Sequence, residues 1–407
     1  MRDAWPLVAL AIVVVGLATL NAAVVAAGAL ALIVYLVARL WSRLSLERVE
    51  YDRHLDEDHA FPGDSLTVEL RIANRKPLPL PWVVVDDTIP LALAPAGDED
   101  VHDTGQPGRG RLAWRTSVWA HQRVARDVEI RCRERGAYEL GPASVASGDP
   151  FGLFERRRDD GRRTRVIVYP RTLKLPPPAV PARRPYGDVR GGSRLFEDPA
   201  RVAGLRDYEP GDELRRIDWK ATARRGALQS RVYEPASSHN LIVCLNAQTV
   251  IPAWAGSVPD VLERSVSVAA SVARDAHEQR YSIGLLSNVS FPNADRPVRI
   301  APAARAEQLM RVLEALAITT PFIVEPLSAS IDRDEHRLLS GATVIVVTGV
   351  MPDDLAQSLA RLTRRRVPLA VLNTSGERWE NFAGRAIDVS AADDTRWRDP
   401  SRTEAPA

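Results

Sequence analysis

Thirty-five consecutive residues, Ala4 to Ala38, carry no charge. A straight helix of that length would reach about 52 Å, whereas the hydrocarbon core of a bilayer is roughly 30 Å thick. One over-long helix is therefore a poor solution. The stretch "LATLNAAV" offers a break near Thr19 and Asn21, and splitting there predicts two spans of about 17 residues each. Trp5, Tyr35 and Trp41 fall where interfacial aromatics belong. A cleaved leader would have a shorter apolar run and more basic residues ahead of it than Arg2 alone. Residues 1–42 thus read as a transmembrane helical hairpin, with 4–41 in the lipid. Arg39, Arg43 and Arg48 follow at once, which places the remainder of the chain in the cytoplasm by the positive-inside rule. A single tilted span, with the bulk on the outer side, is the competing reading.

The chain has 407 residues and a net charge of +2. That length accommodates two or three domains with real cores. So even a balance gives no broad basic field to attract nucleic acid. Cys132 and Cys244 sit in apolar runs, "VEIRCR" and "LIVCLN", and read as small core residues in a reducing compartment.

Residues 46–170 predict a β-sandwich of the immunoglobulin-like kind. In "DSLTVELRIANR" every second residue is apolar, so Leu66, Val68, Leu70 and Ile72 share one face. "PWVVVDDTI", "GRLAWRTSVW", "RVARDVEIRC", "GPASVASGDP" and "TRVIVYP" follow at the spacing of short strands. The charge run "ERRRDDGRRTR" reads as a solvated hairpin tip. Residues 171–204, with "KLPPPAVPARRP" and "YGDVRGGSR", read as a Pro/Gly-rich linker.

From 238 to 390 the pattern changes to alternating strands and helices. "NLIVCLN", "YSIGLLS", "ATVIVVTG" and "VPLAVLN" are continuous apolar runs, as in strands covered on both faces. Between them lie helical patterns. The clearest puts Leu262, Val266, Ala269, Ala273 and Ala276 on one stripe after Pro259. Asp353 suits the N-cap of a later helix. This order implies a mostly parallel sheet with helices on both faces, a Rossmann-like α/β domain. The polar tail, 391–407, reads as disordered.

Between linker and α/β domain stands "LRDYEPGDELRRIDWKATARRG". Pro210 and Gly211 suggest a turn into a short helix that Asp212 caps. Ile217 and Trp219 offer area to bury. Arg206, Arg215 and Arg224 can pair with Asp207, Asp212 or Asp218. With Tyr208, these residues compose either a clamp against the α/β domain or a docking surface for a partner. Asp212 and Asp218 are six apart, and a paired-carboxylate hydrolase site is conceivable, though their arginine neighbours favour a structural use.

"FPGDSLTVELRIANR", "RGAYELGPASVASGDPFGLF", "VYP" and above all "LRDYEPGDELRRIDWKATARRGALQSRVYEP" resemble the domain of unknown function 58 family over nearly the whole chain. The resemblance implies that the last block is a von Willebrand factor type A-like domain and that the partner is a MoxR-type AAA+ ATPase. It supplies no reaction. Type A domains often hold Mg²⁺ with an Asp-x-Ser-x-Ser motif after the first strand, since hard cations need carboxylate and hydroxyl oxygens. Here those places hold Asn246, Gln248 and Val250, and the later loop offers Thr348 rather than an acid. The site is degenerate, and we expect neither metal nor other cofactor. The expected product is a multi-domain α+β membrane protein that scaffolds other proteins, without nucleic acid or a small-molecule substrate. A hydrolase using the acids at 205–236 and an extracytoplasmic adhesive module are the alternatives.

Overall fold

The apolar amino-terminal run forms two helices, α1 (Trp5–Ala18) and α2 (Ala22–Ser45). Asn21 makes the break: its side-chain oxygen accepts the N–H groups of Ala23 and Val24 at 3.1 and 3.4 Å, capping α2. A Cβ on Gly16 would lie 2.7 Å from the Val25 nitrogen, and one on Gly28 would lie 2.8 Å from the Val13 nitrogen. The two helices therefore run side by side, antiparallel, at backbone contact. The division is unequal, unlike the even split expected from the sequence. With 14 residues α1 is about 21 Å long, and with 24 residues α2 is about 36 Å. Among the described residues α2 is the one helix long and apolar enough to cross a membrane.

The computed structural model describes residues 5–93, 101–103, 105–175, 197–209, 217–235, 240–290, 296–336 and 342–391. They form two compact units, Met1–Arg171 with Leu313–Thr319, and Thr172–Val312 with Thr320–Ala407.

In the first unit the strands are β1 (Val49–Leu55), β2 (His59–Ala60), β3 (Ser65–Asn74), β4 (Leu80–Pro90), β5 (Val101–Asp103), β6 (Arg109–Val118), β7 (Arg123–Arg131), β8 (Gly136–Leu140), β9 (Ala143–Gly148), β10 (Glu155–Asp160) and β11 (Thr164–Val168). They make three sheets, ordered β1-β3-β7, β10-β9-β4-β6-β5 and β2-β11-β8. Alternation in β3 buries Leu66, Val68, Leu70 and Ile72 in a core shared with Tyr51, Val85, Trp114 and Ile130. Asp87 is buried beside this core, where it accepts from the Tyr51 hydroxyl at 2.7 Å and lies 3.2 Å from Arg53 Nε.

The end of α2 is built into this unit. Tyr35, Ala38, Ser42 and Ser45 form its buried stripe. The ammonium of Lys76, itself buried, donates to the Ser45 carbonyl and, at 3.1 Å, to that of Glu47. Arg158 donates to the carbonyls of Leu46 and Val49 at 3.1 and 2.6 Å. Cations thus satisfy carbonyls left open at and just beyond the helix C-terminus. The charge run is solvated, as expected from the sequence, with residues 155–159 and 161–163 exposed, but it is not a hairpin tip: its strands β10 and β11 lie in different sheets, and Arg158 also fastens the helix.

The second unit begins with β12 (Glu197–Asp207), α3 (Trp219–Arg225) and β13 (Gln229–Pro235), the strands pairing antiparallel. Residues 197–204, expected as linker, therefore belong to a strand. The linker's 176–196, Pro210, Gly211, Asp212, Arg215 and the tail from 392 lie outside the described residues. Next come β14 (Asn240–Leu245), α4 (Pro259–Glu278), β15 (Ser282–Ser290), β16 (Pro297–Ala303), α5 (Gln308–Ala317), α6 (Leu327–Asp334), β17 (Ala342–Thr348), α7 (Asp353–Arg364), β18 (Leu369–Asn373) and β19 (Ala386–Asp388). The sheet order is β16-β15-β14-β17-β18-β19, parallel except for β16 at the edge. The buried face of α4 carries Leu262, Val266, Ala269, Ala273 and Ala276. Pro352, not Asp353, occupies the N-cap of α7.

The chain lays strands outward from β14 in one direction, then returns to β17 and builds the other way. Strand order reverses between β14 and β17, and open α/β sheets bind ligands just beyond the carboxyl ends at that place.

Candidate functional site

Two places could carry function: the strand ends at β14 and β17, and the β12–α3–β13 segment.

At the strand ends, Asn246 and Thr348 face each other across the reversal point. Asn246 Nδ2 donates to Thr348 Oγ1 at 3.0 Å. Its Oδ1 accepts from Asn288 Nδ2 at 2.8 Å and from the Gln248 N–H at 3.1 Å. Asn288 Oδ1 in turn accepts the Ala247 N–H at 2.8 Å. Thr348 Oγ1 donates to the Val350 carbonyl at 2.5 Å. Gln248 Nε2 turns to the Val250 carbonyl at 2.9 Å. Next to them the hydroxyls of Ser265 and Thr374 lie 2.7 Å apart, and Arg264 donates to the Thr374 carbonyl at 3.0 Å. Asn246, Asn288, Thr348 and Thr374 are all buried.

The network is neutral and mutually satisfied. Amide and hydroxyl groups in a low-dielectric place are stable when each donor meets an acceptor, and these do. A divalent cation prefers carboxylate oxygens and an open coordination position. Among the described residues no group of three or more His, Cys, Asp or Glu is placed to hold a metal ion. Asn288 was not singled out from the sequence. Its signal was its position at the end of a buried apolar strand.

The second place is locked by two side chains. Asp218 is the N-cap of α3: its Oδ1 accepts from Lys220 N and Ala221 N at 3.1 and 3.0 Å. Its Oδ2 accepts from Arg231 Nε at 3.0 Å. The Ala221 amide and the Arg231 guanidinium hold this carboxyl below the usual carboxylate range. An acid so committed is a poor proton donor, which counts against the paired-carboxylate idea. Gln229, fully buried, is the other lock. Its Nε2 donates to Asp207 Oδ1 at 2.6 Å, its Oε1 accepts from Arg225 at 3.1 Å, and its N–H goes to Thr222 Oγ1 at 3.0 Å. Tyr208 N donates to the Leu228 carbonyl at 2.9 Å. Arg206 lies 3.5 Å from Glu209 rather than in a fork to Asp218. Gln229 and Arg231, which organise the segment, lie just downstream of the candidate residues 206–224 and are not among them.

Ile217 is buried, 5 % exposed, and bridges to Ser230. Trp219 is 67 % exposed. This overturns the expectation that Trp219 contributes buried area. It stands at the first position of a two-turn helix whose face toward β13 is taken by Thr222 and Arg225. Lys220 and Arg224 are exposed too, as are Leu205 of β12 and Leu228 just before β13. The Arg224 side chain makes no hydrogen bond or ion pair among the described residues.

Comparison with known proteins finds a family model that matches part of the chain and one relative. The profile described as "Protein of unknown function DUF58" matches residues 204–376, from within β12 to just past β18. A relative in Bacillus subtilis (strain 168), "Uncharacterized protein YeaD", is 26% identical over 323 residues, covering 79% of this chain and 75% of that protein. Among solved structures, the CARDB domain of a Pyrococcus furiosus protein is 13% identical with a TM-score of 0.21, covering 31% of this chain and 95% of that one. A cohesin module from a Clostridium perfringens family 33 glycoside hydrolase is 12% identical with a TM-score of 0.21, covering 29% and 96%. Structural likeness at that level carries no argument.

Proposed function

We propose that this protein is a membrane-anchored adaptor that docks another protein through the β12–α3–β13 segment. The exposed Trp219 carries the reading. Tryptophan and arginine dominate the energetics of protein interfaces, and an indole costs least when the element bearing it is already rigid. Here Asp218 and Gln229 fix α3 on its strand pair, so Trp219, Lys220 and Arg224 are presented without a folding cost. The anchor is α1 and α2 as a two-span hairpin, and Arg39, Arg43 and Arg48 put the folded units in the cytoplasm. The strands of residues 46–170 serve as an immunoglobulin-like spacer. The parallel sheet serves as a type A-like domain that works without a metal, its strand ends closed by amides and hydroxyls. Resemblance to the domain of unknown function 58 family makes the partner a MoxR-type AAA+ ATPase, which requires cytosolic ATP.

The test is a titration of full-length protein in lipid nanodiscs with a purified MoxR-type ATPase, with ATP and without. Saturable binding that Trp219→Ala and Arg224→Ala each weaken at least tenfold, with unfolding midpoints unchanged, supports the reading. Binding that ignores both substitutions refutes the assigned surface, and no binding refutes the partner.

A further inference from the structure

The turn between β9 and β10 reads Asp149-Pro150-Phe151-Gly152-Leu153-Phe154. Three apolar side chains in a six-residue turn are unusual for a surface that meets water. The turn is nevertheless built firmly. Asp149 is buried, and its carboxylate accepts the N–H groups of Phe151 at 2.8 Å and Phe154 at 2.6 Å. Its carbonyl accepts the Gly152 N–H at 3.2 Å and the Trp82 indole N–H at 3.0 Å. Its own N–H goes to the Phe154 carbonyl at 3.3 Å. Pro150 has no N–H to satisfy. Gly152, at φ +70°, takes the left-handed conformation that closes the turn. The backbone is thus largely satisfied from within, while Phe151 is left 60 % exposed at the tip. Internal satisfaction is the condition for irregular backbone to enter lipid at low cost.

The turn's position points the same way. Phe154 packs edge-on against Tyr35 of α2, ring centroids 5.4 Å apart at 72°. From Ala22 to Tyr35 the helix has 14 residues, or about 21 Å of rise. A bilayer needs about 30 Å. If the far boundary lies at the Thr19–Asn21 turn, the near boundary falls roughly six residues beyond Tyr35, close to Trp41. Tilt would move it further along the helix. The exposed residues of α2 over that interval are the apolar Leu36, Val37 and Leu40 and one cation, Arg39, whose guanidinium donates to the Tyr35 hydroxyl at 2.8 Å and marks Tyr35 as a boundary residue. The turn that touches Tyr35, level with the Arg39 guanidinium, therefore lies at the near boundary of the lipid.

We propose that the Asp149–Phe154 turn is a second membrane contact, in which Phe151 and Leu153 enter the interfacial layer of the bilayer beside α2. The inference rests on the spanning role of α2 given above. It makes the β-rich unit a body set against the lipid surface rather than one swinging on a tether. Trp5 and Tyr35 fall at the same level, since the packing that brings Val13 to Gly28 and Gly16 to Val25 carries the start of α1 alongside Tyr35.

The experiment uses full-length protein in liposomes with a single added cysteine carrying a polarity-sensitive nitrobenzoxadiazole probe. Cys132 and Cys244 are buried, and burial pushes their thiols up to about 11 and about 12, so neither competes for the label. Three sites are compared. Phe151→Cys tests the turn. Leu30→Cys, on the exposed apolar face of α2, reports spanning. Glu57→Cys lies past the far end of β1, some 20 Å of strand from the helix end. The proposal expects blue-shifted emission at 151 and quenching there by doxyl-labelled lipid, as at 30, with neither at 57. Quenching at 30 with water-like, unquenched emission at 151 overturns the proposal and leaves the spanning role intact. Absence of quenching at both 30 and 151 overturns both.

Discussion

Replacing Asn246 by Asp exchanges one atom in the strand-end network and tests whether the network is closed. The Asn246 amide nitrogen donates to Thr348 Oγ1 at 3.0 Å, and Thr348 spends its own proton on the Val350 carbonyl at 2.5 Å. An Asp oxygen in that place meets an oxygen with no proton to offer. The carboxylate is also buried without a cation, since Asn246 is 1 % exposed and its neighbours are Asn288, Gln248 and Thr348. An unmatched buried charge typically costs about 3–5 kcal/mol. For a unit of this size each kcal/mol moves the midpoint by roughly 2–4 °C, so the expected loss is roughly 6–20 °C. The loss should depend on pH. Unfolded Asp has its pKa near ~3.9, and burial raises the folded value. Between those values the folded state binds the extra proton, so stability falls as pH climbs through that window. The assay is thermal unfolding of Asn246→Asp and wild-type protein in matched detergent from pH 4 to pH 8. The gap should widen with pH. Equal midpoints at pH 7.5, or a gap independent of pH, would show that water reaches the strand ends and that the closed network is wrong.

Other outcomes follow from the same geometry. Millimolar Mg²⁺ or Mn²⁺ should leave the wild-type midpoint unchanged, because a saturated site would add RT ln(1 + [L]/Kd), about 2.7 kcal/mol at a hundredfold excess. A rise of several degrees would mean that a cation displaces the Asn246 network. Ile217→Ala should cost about 2–5 kcal/mol, as core truncations do, while Trp219→Ala, an exposed site, should shift the midpoint little; thermal scans that show the reverse order would overturn the placement of both. Lys76 provides a pH test in the alkaline range. Burial brings its ammonium down to about 8, against the pull of Glu47 and with help from Arg158. Between that value and the unfolded one near ~10.4 the unfolded chain holds more protons, so stability should rise with pH there. Lys76→Met should abolish that rise, which paired midpoints at pH 8 and pH 10 would read.

Much of the architecture is legible in periodicity. The alternation of Leu66, Val68, Leu70 and Ile72 and the α4 stripe from Leu262 to Ala276 are long, strongly patterned stretches in which burial decides the residues. Short elements escape notice. β16 and β19 lie at the sheet's two edges, and α6 has only eight residues. None repeats its pattern long enough to stand out. Roles fixed by distant contacts are also invisible. Nothing in "ERRRDDGRRTR" marks Arg158 as the residue that reaches the end of α2, because its partners are backbone carbonyls more than a hundred residues away. Trp219 misleads for a different reason. Large aromatics usually add to a core, but local capping by Asp218 fixes the helix, and the indole is not needed to hold it. The strand-end site was legible as a loss of acids, whereas the pairing that fills it, through Asn288, needed three dimensions.

Photo-crosslinking from position 219 in intact cells tests the central claim most directly. Trp219 is replaced by p-benzoylphenylalanine in the full-length protein, with the same replacement at the buried Ile217 as control. The account predicts an ultraviolet-dependent adduct between position 219 and a MoxR-type AAA+ ATPase in the membrane fraction, altered when ATP is depleted and missing from position 217. Adducts from 219 that lie only within the chain, or the same ATPase adduct from both positions, would contradict it.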